Sequence, residues 1–268
     1  MKVAALQMVS GVALEGNLVA ARALLEQAAS AGCELAVLPE YFCLLGRKDT
    51  DKFALRERFG DGPIQQFLAD KARELGLWVV GGTLPLEASD AGHVRNTTLV
   101  YSPGGKCVAR YDKIHLFRFD NGREKYDEWR VIEPGRQPVA FELNARDGQS
   151  WRIGLTVCYD LRFPELYREL AADVLLVPSA FTHLTGQAHW EPLLRARAIE
   201  NLAYVVAPAQ GGLHENGRRT WGHSMVVDPW GEVLAQQDEG PGVVAAMLER
   251  SRLAQVRREL PALEHRVL

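Results

Sequence analysis

WRIGLTVCYDLRFPELYRELAADVLLVPSA, residues 151–180, is the stretch on which the fold is read. An apolar run ends at Cys158, PELYRELA opens on Pro164 and carries a helical pattern, and ADVLLVPSA is a second apolar run. Strand, helix, strand is the signature of the α/β class. The first half of the chain runs through the same order. VAALQ stands beside WRIGLTVCYD, CELAVLPE beside ADVLLVPSA, LWVVGGTL beside LAYVVAPAQ, and the hairpin TTLVYSPGGKCVAR, with its SPGG turn, beside SMVVDPWGEVLAQ. NLVAARALLEQAASAG, capped by Gly32, and GPIQQFLADKARELG are helices of the first half, and EPLLRARAIEN follows in the second. Neither half alone covers both faces of a sheet. The expectation is one domain over residues 1–268: a four-layer α-β-β-α sandwich of two pseudo-repeated halves. The polar, turn-rich FRFDNGREKYDEWRVIEPGRQP, residues 117–138, separates them, and a loop of that length is functional or mobile.

Composition narrows the class. The 268 residues are 47% hydrophobic, ample for a continuous core, and the net charge is −3. No basic stripe with interleaved aromatics is present, so no nucleic-acid partner is expected. The opening MKVAALQM lacks the features of a secretory signal, and no apolar run is long enough to span a bilayer. A soluble cytoplasmic protein with no membrane partner is expected. Cys33, Cys43, Cys107 and Cys158 show neither CxxC pairs nor finger spacing, so each reads as a free thiol. GxGxxG before a helix, GxxxxGK[ST] and HExxH are all absent, and neither cofactor nor metal is expected.

A cysteine ending an apolar run is ordinarily a small core residue. Cys158, however, precedes a helix start, where free amides and the helix dipole favour a thiolate and can hold an oxyanion. Such a thiol is also prone to oxidation. Glu40 ends CELAVLPE, and Lys113 lies just beyond the hairpin's second strand in RYDKIHLF. Each alone reads as a surface charge. Together the three end separate strands of an α/β sheet, at the edge where such folds place their sites. His115, two residues from Lys113, is the alternative base of a Cys/His arrangement.

LPE around Glu40, YDKIHLF around Lys113 and TVCYDLRFPEL around Cys158 resemble, in order, the three signature segments of the nitrilase superfamily of carbon-nitrogen hydrolases. PSAFTHLTGQAHWEPLLRARAIEN and GHSMVVDPWGEV further resemble the branch of animal Nit proteins and deaminated glutathione amidases. The resemblance implies that Cys158 attacks an amide carbonyl to give a thioester, Glu40 carries protons and Lys113 stabilises the tetrahedral intermediate. Glu128 matches the family's second glutamate, with Glu133 as the near alternative. Tyr159, Phe181 and Thr182 are expected at the pocket. Arg162 either presents a fork to a substrate carboxylate or pairs with Glu165. Trp190, Arg195, Arg197 and Glu200 lie on a helix that in this family contributes to subunit contacts, which implies a homodimer or higher homo-oligomer. Trp221 stands where the family motif has tyrosine. The branch implies cleavage of deaminated glutathione to 2-oxoglutarate and cysteinylglycine, as metabolite repair. An omega-amidase acting on 2-oxoglutaramate, a carbamoylase, and a binding or scaffold protein that has lost turnover are the alternatives.

Overall fold

Val3 and Ala5 point to one side of the first strand, Ala4 and Leu6 to the other, and all four are buried. Such a strand lies between two packed layers. The computed structural model, which describes residues 1–267, places it in a seven-stranded sheet. The first half of the chain supplies β1 (Lys2–Gln7), α1 (Leu14–Ser30), β2 (Leu35–Val37), α2 (Pro63–Leu75), β3 (Trp78–Val80), β4 (Leu84–Glu87), β5 (Val94–Tyr101) and β6 (Cys107–Asp112). A small hairpin of β7 (Arg118–Asp120) and β8 (Lys125–Asp127) follows. The second half supplies β9 (Val139–Asn144), β10 (Ser150–Leu155), α3 (Pro164–Leu170), β11 (Val174–Leu176), α4 (His183–Asn201) and β12 (Tyr204–Ala207). It continues through the hairpin β13 (Gly211–Leu213) and β14 (Arg219–Trp221), then β15 (Ser224–Val227), β16 (Val233–Gln237), β17 (Gly242–Met247) and α5 (Arg250–Glu259).

The pairing reproduces the repeat. β1, β2 and β3 run parallel, and β5 and β6 add to them antiparallel. β10, β11 and β12 run parallel, and β15 and β16 add antiparallel in the same order. Each sheet also gains an antiparallel neighbour on its leading strand: β9 beside β10, and β17 beside β1. One face of the first sheet, with Ala4, Leu6, Ala36 and Val79, packs against Leu24, Leu25 and Ala28 of α1 and Leu68 and Ala72 of α2. Its other face, with Val3, Ala5, Val37 and Val80, joins the core of the second sheet, where Leu166 and Tyr167 of α3 and Trp190 and Leu194 of α4 are buried. The order of layers is therefore α-β-β-α, as the sequence repeat predicts.

Three local expectations change. Residues 117–138 are not a bare loop, because they carry the β7–β8 hairpin and a 3-10 turn at Glu128–Arg130. Helix α4 begins at His183, so Pro192 lies inside it rather than at its start. The turn after Cys158 is a 3-10 helix, Cys158–Arg162, and α3 starts only at Pro164. No described helix is long and apolar enough to cross a membrane.

Candidate active site

Strand ends bring the chemistry together. Glu40 follows β2, Lys113 follows β6, Cys158 follows β10 and Ala180 follows β11. At the Glu40 corner Tyr41 takes a left-handed φ of 58°, and its N–H donates to the Thr83 hydroxyl at 2.9 Å. Gly82 packs under this corner so closely that a Cβ would lie 2.0 Å from the Pro39 carbonyl oxygen. Only glycine fits there.

Lys113 is 1% exposed, and its Nζ donates to Glu40 Oε1 at 2.9 Å and to Glu128 Oε1 and Oε2 at 3.0 and 2.8 Å. Glu40, equally buried, also accepts from Asn96 Nδ2 and from the Ala180 N–H, both at 2.9 Å. Glu128 accepts from the Tyr41 hydroxyl at 2.7 Å and the Phe117 N–H at 2.6 Å. The pocket these groups line also contains Cys158, Tyr159, Arg162, Phe181 and Thr182, so every residue expected at the site from the sequence reaches it. Glu133 does not, because it is engaged by Arg95 and the Ser89 N–H.

Cys158 has φ of 48°, sparsely populated for a residue with a side chain, at a cost of about 1–3 kcal/mol. Its neighbours hold it there. The Cys158 N–H donates to the Pro178 carbonyl at 3.0 Å, and Asp160 Oδ2 accepts from the Val157 N–H at 2.8 Å. Asp160 is fully buried and also accepts from the Tyr111 hydroxyl (2.7 Å), the His115 N–H (3.0 Å) and His115 Nδ1 (2.7 Å). Tyr111 and His115 bracket Lys113, so one carboxylate ties the cysteine turn to the lysine segment. His115, stacked on Phe163 with centroids 3.7 Å apart, is occupied in that tie rather than placed as a base.

The thiolate expected from the helix dipole is not the resting form. Burial, then the charge of Glu40, pushes the Cys158 thiol well above its ordinary range, and Lys113 only partly offsets this. The physical reason is a buried charge count: two carboxylates already face one ammonium, and a thiolate would add a second net negative charge. The dipole is also weaker than expected, since α3 starts six residues after Cys158. Moving the thiol proton to Glu40 leaves the net charge of the cluster unchanged, so a thiol beside a carboxylate base is what this arrangement can use.

For Lys113, burial is the largest single influence and lowers its pKa, but the Glu128 and Glu40 charges reverse it and raise the ammonium above its ordinary value. For Glu128, burial acts upward and is outweighed by Lys113 and the hydrogen bonds, which hold the carboxyl below its usual range. A depressed acid stabilises the fold above its unfolded pKa, about 4.3, and loses that contribution as pH falls through its folded value. A raised lysine contributes fully below about pH 10.4 and loses its contribution as pH rises through its folded value. Urea unfolding should accordingly show stability lost on the acid side, below about pH 5, as Glu128 takes up a proton, and lost again above about pH 8, where unfolded cysteines ionise and the buried Cys158 and Cys43 thiols do not. A stability that rises below pH 4 would contradict the pairing.

Around the pocket, Arg162 Nη2 lies 3.3 Å from His189 Nδ1, with its guanidinium 5.4 Å from the Phe181 ring centre. Among the described residues no ion pair joins it to Glu165. Phe181 packs on Trp190, whose indole N–H donates to the His223 carbonyl at 2.8 Å. Thr182 Oγ1 lies 2.7 Å from Thr185 Oγ1. Arg197 is buried and donates to the Leu161 carbonyl at 3.0 Å and to Glu200 at 2.8 Å, so it braces the cysteine turn. Trp221 stacks on His223, centroids 4.0 Å apart, and does not line the pocket. Only about 20 Å³ of this inner pocket is open to the centre of a water molecule. It adjoins a wider outer pocket of about 240 Å³ through Tyr41, Phe117, Glu128 and Arg218. Sequence reasoning missed Tyr41, Asn96, Asp160 and Arg218. Of these Asp160 was within reach, two residues beyond the cysteine in the quoted motif.

A family model described as carbon-nitrogen hydrolase matches residues 2–258. A Synechocystis protein named deaminated glutathione amidase is 42% identical over 270 residues, 98% of this chain and 97% of its own. The crystal structure of the Caenorhabditis elegans NitFhit protein matches with a TM-score of 0.88 and 39% identity over 99% of this chain, which spans 64% of that one. A Nesterenkonia amidase, in a mutant carrying the acetamide moiety of fluoroacetamide covalently on its active-site cysteine, matches with a TM-score of 0.79 and 26% identity over 97% of this chain and 94% of its own.

Proposed function

The chain belongs to the carbon-nitrogen hydrolase family and is a hydrolase acting on amides, and from that premise we propose that Cys158, Glu40 and Lys113 cleave deaminated glutathione to 2-oxoglutarate and cysteinylglycine. The observation that carries the assignment of residues is the closed set of contacts at Lys113, whose one buried ammonium is shared by Glu40 and Glu128 in the pocket that holds the thiol.

In the first half-reaction the Cys158 sulfur forms a bond to the amide carbon as its proton passes to Glu40. The carbonyl oxygen becomes an oxyanion facing Lys113 and the Tyr159 N–H, which, at the second position of a 3-10 turn, has no carbonyl of that turn to pair with. Glu40 returns the proton to the amine, the C–N bond breaks and a thioester remains on Cys158. In the second half-reaction Glu40 takes a proton from water, the hydroxyl adds to the thioester carbon, and the C–S bond breaks as the proton returns to sulfur. Glu128 reacts with nothing. It holds Lys113 from the side opposite Glu40 and anchors the Tyr41 ring.

Residues 1–268 act as one catalytic domain in this reading. Four unpaired cysteines suit a reducing cytoplasm. A homo-oligomer accords with the family, and exposed Ile199 and Trp230, adjoining through Gly231, leave apolar surface on that side. Sedimentation as a single chain of 29.8 kDa would remove the oligomer. The substrate is tested by incubating the protein with deaminated glutathione and, separately, 2-oxoglutaramate. Cysteinylglycine release from the first at the higher kcat/KM is the expected result. Ammonia from the second alone would keep the chemistry and replace the substrate.

A further inference from the structure

Among the described residues Arg218 is the one cation that lines both the inner pocket, beside Cys158, and the outer pocket. It stands between the hairpin strands β13 and β14, with Nη2 donating to the Ala180 carbonyl at 3.2 Å and its guanidinium 4.9 Å from the Tyr126 ring centre. Its Nε is buried and has no hydrogen-bond partner among the described residues. Lys52, on the 3-10 turn Asp49–Leu55, lines the outer pocket too, with Nζ 5.1 Å from the centre of the Tyr41 ring. Among the described residues no carboxylate lies within ion-pairing distance of either cation. Of the other cations of the same wall, Arg47 pairs with Glu215 at 2.8 Å and Lys125 with Asp120 at 3.3 Å, while the exposed Lys48 has no ion pair among the described residues.

We propose that Arg218 and Lys52 form a carboxylate-binding station in the outer pocket, and that it takes the carboxylate carried by the leaving amine of the substrate. A half-buried guanidinium with an unsatisfied N–H and no carboxylate paired to it is costly in the free enzyme, and an arriving carboxylate supplies both the acceptor and a paired charge. The two cations also act on each other. Burial lowers the Lys52 pKa, the Glu128 and Asp49 charges act against it, and the Arg218 charge adds to the lowering, a repulsion that an anion between the two cations relieves.

The choice of the leaving side follows from the order of events. The acyl part stays bonded to Cys158 in the narrow inner pocket while the amine must depart before water enters, so the amine lies toward the wider, outer space. Arg162, lining only the inner pocket, is left for the acyl side. Tyr41 and Tyr126 wall the outer pocket with rings that lose little entropy on binding. The station deepens the amidase reading above and rests on it.

The test compares kcat/KM for deaminated glutathione with that for its analogue in which the glycine carboxylate is a carboxamide. The expected wild-type preference for the carboxylate is about 30-fold, the range of a charge-assisted hydrogen-bonded contact. Arg218→Met should bring the ratio close to one through KM, Arg218→Lys should keep most of it, and Lys52→Met should fall between. A ratio unchanged in Arg218→Met, or one lost instead in Arg162→Met, overturns the station. An equal loss on both substrates in Arg218→Met also overturns it and leaves Arg218 only a brace for Ala180. A wild-type protein that cleaves neither amide while remaining folded overturns the substrate reading beneath it, and the station falls with it.

Discussion

Replacing Lys113 with methionine is expected to lower the unfolding free energy at neutral pH by about 3–5 kcal/mol, because it leaves two buried carboxylates facing each other with no cation between them. The same substitution removes an oxyanion partner and should cost about 10²–10³ in kcat/KM from that effect alone. Its pH dependence separates this account from a generic packing defect. In the wild type, acid removes stability as Glu128 is protonated; in Lys113→Met, uptake of a proton by one of the facing carboxylates relieves their repulsion, so stability should rise as pH falls from 7 toward 5. Adding Glu128→Gln to Lys113→Met should restore stability and leave activity lost. Chemical denaturation of both variants across that range decides it. A loss that is the same at every pH would mean that Lys113 matters for its volume rather than its charge.

Cys158→Ala should abolish turnover by about four orders of magnitude or more, since Cys158 is the only thiol among the described residues that line the pocket. Stability should stay within about 1 kcal/mol of the wild type or rise slightly, because alanine accepts the same left-handed backbone no worse than cysteine and the thiol makes few bonds. Circular dichroism and melting, run beside the activity assay, keep the two effects apart. A folded Cys158→Ala protein with a tenth of the wild-type rate would move the nucleophile elsewhere. The other cysteines offer no substitute, because none of Cys33, Cys43 and Cys107 lines the pocket that holds Glu40 and Lys113.

The repeated order of apolar runs was enough to predict the layers, since each correspondence read along the chain became the same neighbour relation in the two sheets. The edge strand β17 was not read, because GVVAAM makes sense only beside β1, from which it is separated by almost the whole sequence. Helix α4 shows local signals overridden by packing. Pro192 resembles a helix start and Gly186 a break, yet the helix runs through both. Gly186 is there because Trp221 lies against it, where a Cβ would come within 2.3 Å of the Trp221 Cβ. The Trp221 ring, where the family motif has tyrosine, meets His183 at the start of α4, with centroids 5.0 Å apart. For the site, residues ending apolar runs were legible because strand ends share one rim. Arg218 was not, since its hairpin GGLHENGRRTW has no alternation of its own and is fixed by contacts from outside: Gly211 N–H to Met8, and Trp221 N–H to Phe181, both at 2.9 Å.

On this mechanism the acyl group passes through the Cys158 sulfur. Rapid acid quench of the enzyme with excess deaminated glutathione, followed by intact mass measurement and peptide mapping, tests it directly. The expected result is a transient protein species heavier by the 2-oxoglutaryl group, mapped to Cys158 and absent from Cys158→Ala. Turnover with no such species at any quench time, or an adduct mapped to another residue, would contradict it.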